Sequence, residues 1–541
     1  VTSTLFRHGV VHSSADPFAE AILVADGAVA WLGADDTADG LVEKADEVVD
    51  LDGAIVVPGF VDAHVHLLET ALASDGVDLS GARSLTQALD LVRAAAQQRP
   101  GTDEPLLGHG WQEQDWPEQR PPTAAELDAA AGDRPVYLAR VDAHSGVVSS
   151  VLARAAGLVG LPGWHGDGLV TGEAHHVARD ATRDLAPAAR EAAYRRVLER
   201  AAAQGVVAVH EMSAPHIDTR DGLRALLALT ADPASGLPLV VGYRGELCVT
   251  GDDAKALAAD IPGLTGVAGD LNVDGSFGSH SARLRQPYAD APDQLGTLHL
   301  TAEQVANHVA AVTRAGLQAG FHVIGDGALD EVLLGVRAAA DVEGLAAIGA
   351  GGHRLEHLEM VDAAALAALV LLGLRASVQP AFDAAWGSPG GLYSRRLGPT
   401  RAAGLNPFAD LAGAGVPLAF GSDSPVTPLD PWAGVRAAYL HHQVDQRLSV
   451  RSAFRAATRG GWRLAGMDHT GAGELRVGAP AHLAVWAANE LVVQAPDGRF
   501  TSWSADARAG VPLLPSMSPE AAPPVCLRTV RAGVTVHDQM Q

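Results

Sequence analysis

Two histidines two residues apart, His64 and His66, close an apolar run that starts at Ala54 and passes through Pro58-Gly59-Phe60-Val61-Asp62-Ala63. Side chains two apart on a strand share a face. Both imidazoles would therefore leave one strand end together, as two imidazoles must to share a metal ion. A His-x-His pair alone is weak in a chain of 22 histidines. Three later candidate strands strengthen it: 317–322 ends in His322, 353–357 in His357, and 416–423 in Asp423. Neutral imidazoles with a carboxylate suit zinc first, and iron or manganese next, with open positions left for water. An ion so held lowers the pKa of that water toward ~7. Asp423 is the group to take the released proton and hand it to a leaving group, with His357 as its companion at the reacting centre. Taken singly, His109, His144, His165, His175, His176, His210, His441 and His442 read as structural residues.

Such a set needs a scaffold that brings distant strand ends to one place. Between Pro58 and Leu464, apolar runs alternate with Ala/Leu/Arg-rich stretches at helical spacing, among them 191–203, 302–315 and 330–340. Alternation of this kind implies βα units and a parallel sheet. Eight runs qualify as barrel strands, ending near His66, Glu211, Arg244, Val273, His322, His357, Gln379 and Asp423. The expected fold is a distorted (β/α)8 barrel over 58–464, whose strand ends converge on one mouth. The stretch 71–200 fits no single βα unit and reads as a large insertion after strand one, folded over that mouth. Residues 1–57 and 465–541 carry short strands and read as two parts of one small β-sandwich domain. In the first part Asp26-Gly27 joins two apolar runs as a hairpin turn. In the second, 473–475 and 481–486 read as strands, 525–536 as a further pair, and 512–524 as a surface connection.

The net charge of −25 argues against nucleic acid as a partner. No run approaches the ~18 apolar residues of a membrane span, and no basic-then-apolar leader opens the chain, so a cytoplasmic protein acting on a small molecule is expected. A homodimer is compatible with this reading. Cys248 and Cys526 lie far apart and read as buried thiols.

The segments Gly59-Phe60-Val61-Asp62-Ala63-His64-Val65-His66, Gly108-His109-Gly110-Trp111, Val209-His210-Glu211, Asp274-Gly275-Ser276-Phe277-Gly278-Ser279, Phe321-His322-Val323-Ile324-Gly325-Asp326 and Gly421-Ser422-Asp423-Ser424-Pro425 resemble the amidohydrolase superfamily. More narrowly they resemble its amidohydrolase-3, YtcJ-like branch. The resemblance spans nearly the whole chain. It implies hydrolysis of amides or related C–N bonds with one or two divalent metals, held by His64, His66, His322, His357 and Asp423.

One position departs from that pattern. The branch usually carries a lysine on strand four, before Asp-Gly-Ser, whose carbamate bridges two metals. Here Asp270 stands in the slot, and the chain's two lysines, Lys44 and Lys255, lie elsewhere. No carbamylated lysine is expected. What remains is a single ion, or a pair bridged by Asp270 or Glu211. Trp111, Asp115 and His144 from the insertion, with Ser279, His280 and Arg283 after strand four, are candidates to face substrate, Arg283 as partner to a carboxylate. Arg354 and Glu356 read as support for their neighbour His357. The expected activity is hydrolysis of a non-peptide C–N bond of a small molecule. A heterocycle deaminase or a lactone or ester hydrolase would use the same site. A non-catalytic binder is the alternative of a different class, opposed by the completeness of the histidine and aspartate set.

Overall fold

The computed structural model describes residues 3–98, 104–493 and 511–540. Eight parallel strands form its central sheet: β1 (Phe60–Val65), β2 (Val206–Ser213), β3 (Leu239–Arg244), β4 (Leu264–Val267), β5 (Gln318–Val323), β6 (Arg354–His357), β7 (Arg375–Val378) and β8 (Leu418–Phe420). Most are short apolar runs buried on both faces, the pattern of a parallel strand covered by helices; β6 is the exception, with Arg354, Glu356 and His357 buried in it. Helices such as Ala302–Arg314 and Asp326–Glu343 turn buried Val and Leu faces toward the strands. The distorted (β/α)8 barrel expected from the alternation is thus present.

Closure between β8 and β1 occurs just past the strand ends. The Asp423 N–H donates to His64 O at 2.8 Å, and the His66 N–H donates to Ser424 O at 3.1 Å. Gly421 makes this approach possible, because a Cβ there would lie 2.5 Å from the backbone N of His64. The buried Asp62 carboxylate pins both sides, accepting from the N–H groups of His64 (3.2 Å) and Ser422 (2.9 Å).

The fourth strand is shorter than its apolar run suggests. It ends at Val267 rather than near Val273, after pairing with β5 only at Gly266–Gln318 and Val267–Ala319. The chain then leaves the sheet and rejoins β5 through an Asn272–His322 bridge. Asp270 sits on this excursion.

Both chain ends contribute to a β-sandwich. One sheet is N-terminal, ordered Ala28–Gly33, Ala21–Ala25, Ser3–Arg7, Glu47–Asp50. The other runs Val10–Val11, Ile55–Pro58, Leu483–Ala487, Val525–Arg531, Val534–Asp538. Phe6, Ile22 and Val24 of the first meet Val56, Leu483, Val485 and Val530 of the second in one core. Asp26 and Gly27 both have positive φ (51° and 78°), as a tight hairpin between right-twisted strands requires. Two local readings need correction. Leu475 is buried in this core from a turn, not from a strand, and 512–524 contains the strand Leu513–Pro515, paired with Leu491–Val493.

Leu483–Ala487 lies between Ile55–Pro58 and Val525–Arg531, bonded to both. Deleting the chain from Val525 should therefore loosen the N-terminal strands. Amide exchange across 3–58 should accelerate by at least about tenfold, and unchanged protection there would contradict the shared sheet.

A third sheet follows β1: Leu169–Thr171, Ser145–Val148, Val136–Arg140, Leu106–Trp111, Val77–Asp78. Helices such as Leu85–Gln98 cover it, with a core of its own that includes Val92, Leu127 and Leu138. Among the described residues no helix is long and apolar enough to cross a membrane.

Candidate active site

The C-terminal ends of β1, β5, β6 and β8 and the loop after β4 surround one buried cluster. The Nε2 atoms of His64 and His66 lie 3.4 and 3.2 Å from Asp423 Oδ1. On the other side Asp270 places one oxygen 3.5 Å from His64 Nε2 and the other 3.1 Å from His66 Nε2. His322 turns Nδ1 toward Asp270 at 3.7 Å, and its ring meets that of His357 with centroids 4.4 Å apart. Ligand-type atoms of His64, His66 and Asp423, and again of His64, Asp270 and His357, fall within 4.8 Å of one another.

Outer partners fix which nitrogen faces inward. The His64 Nδ1–H donates to Glu356 Oε2 (2.8 Å), the His66 Nδ1–H to Met212 O (3.1 Å), and the His357 Nδ1–H to Gln379 Oε1 (2.8 Å). Each leaves an Nε2 lone pair directed into the cluster. His322 is held the opposite way, its Nε2 3.3 Å from Gly275 O and its Nδ1 inward. Such outer contacts orient metal-binding imidazoles and set their tautomers. Glu356 therefore serves His64, across the barrel, and not its chain neighbour His357, which Gln379 holds.

The cluster fits a divalent ion. His64 Nε2, His357 Nε2 and Asp270 Oδ1 are buried without a hydrogen-bond partner, and buried polar atoms are rarely left so. The electrostatics agree. Burial opposes charge on His64, but Asp423, Glu356 and Asp270 outweigh it and lift the imidazole to about 10. His66 is raised in the same way by Asp270 and Asp423. Both carboxylates are held below the usual range by these histidines, against the cost of burial. A divalent ion satisfies the same carboxylates and competes with those protons, so its affinity rises with pH.

Asp270 is shorter than a carbamylated lysine, and the backbone accommodates this. Gly245, after β3, has no side chain, and a Cβ there would lie 2.7 Å from the backbone carbon of Asp270. Glu211 stands at the edge of the cluster. One of its oxygens accepts from the Leu67 N–H at 2.8 Å and the other has no partner. Burial pushes this carboxyl up to about 8.

The support is itself charged. Arg354 is fully buried and donates to both Glu356 oxygens (2.5 and 2.9 Å) and to Ala63 O. Burial opposes the Glu356 charge, but Arg354 and His64 prevail and hold the carboxyl at about 2. Arg354→Met leaves that carboxylate buried and unpaired. It should cost about 3–5 kcal/mol of stability, read as a lower urea midpoint.

A cavity of about 650 Å³ opens above the cluster, and the inserted sheet forms much of its wall. Asp142, His144, His175 and Arg179 line it opposite His66 and Asp270. The loop after β4 grips the insertion here, because the Ser276 and Ser279 hydroxyls donate to Asp142 Oδ2 at 2.6 and 2.8 Å. His144 and His280 lie on the wall. Trp111 does not: it is buried in the core of the inserted sheet, its indole N–H donating to Leu138 O. Asp115 pairs with Arg395 outside the cavity, and Arg283 is absent from the lining, its backbone N–H held by Asp274. Arg179 has no signal in the sequence. It shares Glu69 with Arg183, over a hundred residues from that glutamate.

Residues 47–537 match the Amidohydrolase family. A putative amidohydrolase, YtcJ of Bacillus subtilis, is 26% identical over 460 residues, covering 78% of this chain and 80% of its own. An N-substituted formamide deformylase of Arthrobacter pascens is 34% identical over 145 residues, 26% of each chain. Among solved structures, an uncharacterized metal-dependent hydrolase of Pyrococcus horikoshii superposes with a TM-score of 0.69 at 27% identity, over 90% of this chain and 97% of that one. The chain belongs to the amidohydrolase family and is a metal-dependent hydrolase.

Proposed function

We propose that this hydrolase cleaves a non-peptide C–N bond of a small molecule, an N-acyl or N-formyl amine being the first class to try. The observation that carries the reading is the convergence of His64, His66, Asp270, His322, His357 and Asp423 beneath one cavity of small-molecule size. The deformylase similarity supports it on the substrate side.

His64, His66, Asp270 and Asp423 would hold the ion, with His322 and His357 completing the set, and zinc suits this donor mixture best. When bound, the ion polarises a carbonyl and makes water a better nucleophile at neutral pH. The chain's own residues do the rest. The Asp423 carboxylate accepts the proton of the attacking water and returns it to the departing nitrogen, without which an amine leaves poorly. Gln379 and Glu356 keep the His357 and His64 rings from turning. The wall from the insertion, with His144 and Arg179, excludes bulk water and positions the remainder of the substrate.

A panel of N-formyl and N-acetyl amines, aminopyrimidines and aminopurines, and lactones tests the assignment. Turnover confined to the first group is expected. Ammonia release from the heterocycles, or lactone opening alone, would replace the proposed bond type with deamination or ester hydrolysis.

A further inference from the structure

On the far side of the molecule from the mouth lies a second cleft, of about 240 Å³, between the barrel and the sandwich. Four arginines line it: Arg451, Arg455, Arg459 and Arg476. Glu474 is the one carboxylate on its wall among the described residues, and it is already bonded to Arg459 (2.5 Å) and Arg476 (3.1 Å). Arg451 and Arg455 have no ion pair and donate no side-chain hydrogen bond among the described residues. The cleft thus carries an excess of three positive charges in a chain whose net charge is −25.

Arg455 and Arg476 stand exposed at the mouth of the cleft, with Arg451 and Arg459 half-buried, so the excess charge faces an opening a ligand can reach. Arg451, Arg455 and Arg459 recur every four residues along Val450–Arg455 and the π-turn Ala456–Gly460 that continues it. Like charges at this spacing repel. Partial loss of water around the otherwise exposed Arg455 weakens its hold on its proton, and Arg451 and Arg459 beside it weaken it further. His12, on the same wall, donates from Nδ1 to Leu513 O, and burial together with Arg451 and Arg455 keeps it neutral, at about 4. Thr458 and Ser14 add hydroxyls to the lining.

We propose that this cleft binds a small polyanion of the polyphosphate class, clamped by Arg451 and Arg455, at a site separate from the catalytic cavity. A single carboxylate occupies one guanidinium fork, whereas a di- or polyphosphate presents enough oxygens and charge for several. A compact cleft, unlike a basic stripe, suits a small ligand and not a nucleic acid.

Calorimetric titration of the metal-loaded protein with inorganic pyrophosphate, ATP and citrate tests this. Pyrophosphate and ATP should bind saturably, and Arg451→Gln/Arg455→Gln should weaken both by at least about tenfold. Metal content should stay unchanged in that variant, and its Tm should hold or rise as the repulsion is relieved. Equal binding by the double variant would place the anion at the metal cluster and overturn the proposal. So would the absence of saturable binding below about 5 mM, and citrate binding as tight as pyrophosphate would overturn the phosphate class.

Discussion

Asp423→Asn should reduce kcat by about 10²–10⁴-fold, the range a positioned acid or base contributes, while leaving the fold intact. The substitution preserves shape and keeps an oxygen for His64 and His66, which lie 3.4 and 3.2 Å from Oδ1. It removes the ability to accept a proton. Asp423 also sits at φ +54°, a left-handed conformation that non-glycine residues adopt at a cost of order 1–3 kcal/mol. Asparagine tolerates that region as well as aspartate, so backbone strain does not confound the measurement. Steady-state kinetics on the accepted panel substrate, with circular dichroism and elemental analysis of the same sample, gives the outcome. Near-full activity in a metal-replete variant would remove Asp423 from the proton path.

Stripping the metal should have a comparable or larger effect. Chelation followed by gel filtration should lower turnover by about 10³-fold or more, since a Lewis acid supplies several kcal/mol of transition-state stabilisation. Zinc, manganese, iron or cobalt should restore it. Restoration should be indifferent to bicarbonate, because Asp270 fills the slot where a lysine would need carbamylation. Retained activity in protein holding less than about a tenth of an equivalent of metal would end the assignment of the cluster. A requirement for bicarbonate would show that Asp270 does not stand in for a carbamylated lysine.

Much of this was readable from the chain alone, for a physical reason. His64 and His322 each stand near the end of a buried apolar run, Asp423 a few residues past one, and His357 at the end of a short buried strand. A parallel barrel brings such positions together regardless of their separation in sequence. The position of Asp270 was visible only through the family pattern. Its strand was misjudged because apolar residues continue through Leu271 and Val273 after the chain has left the sheet at Val267. Periodicity reports burial and not hydrogen bonding. Trp111 shows a related limit: plain alternation groups it with half-buried Leu107 and His109, but the register with Val136–Arg140 shifts at Gly110 (φ +86°) and turns it to the packed side with Leu106, which a Gly-His-Gly-Trp string does not reveal. Arg179 and the Glu356–His64 contact depend on pairs over a hundred residues apart, to which local spacing is blind.

The closure of the barrel has a consequence for assembly. The first and last strands meet where residues just past the last strand bond the end of the first, and those same few residues carry His64, His66 and Asp423. The cluster exists only once a loop of more than three hundred residues has closed. An ion that binds it acts as a clasp on that seam, favouring the closed chain by RT ln(1 + [M]/Kd) and contributing nothing to an open one. Loading with metal is then a late event in folding. The supply of the ion, as much as the sequence, sets how long the seam stays shut.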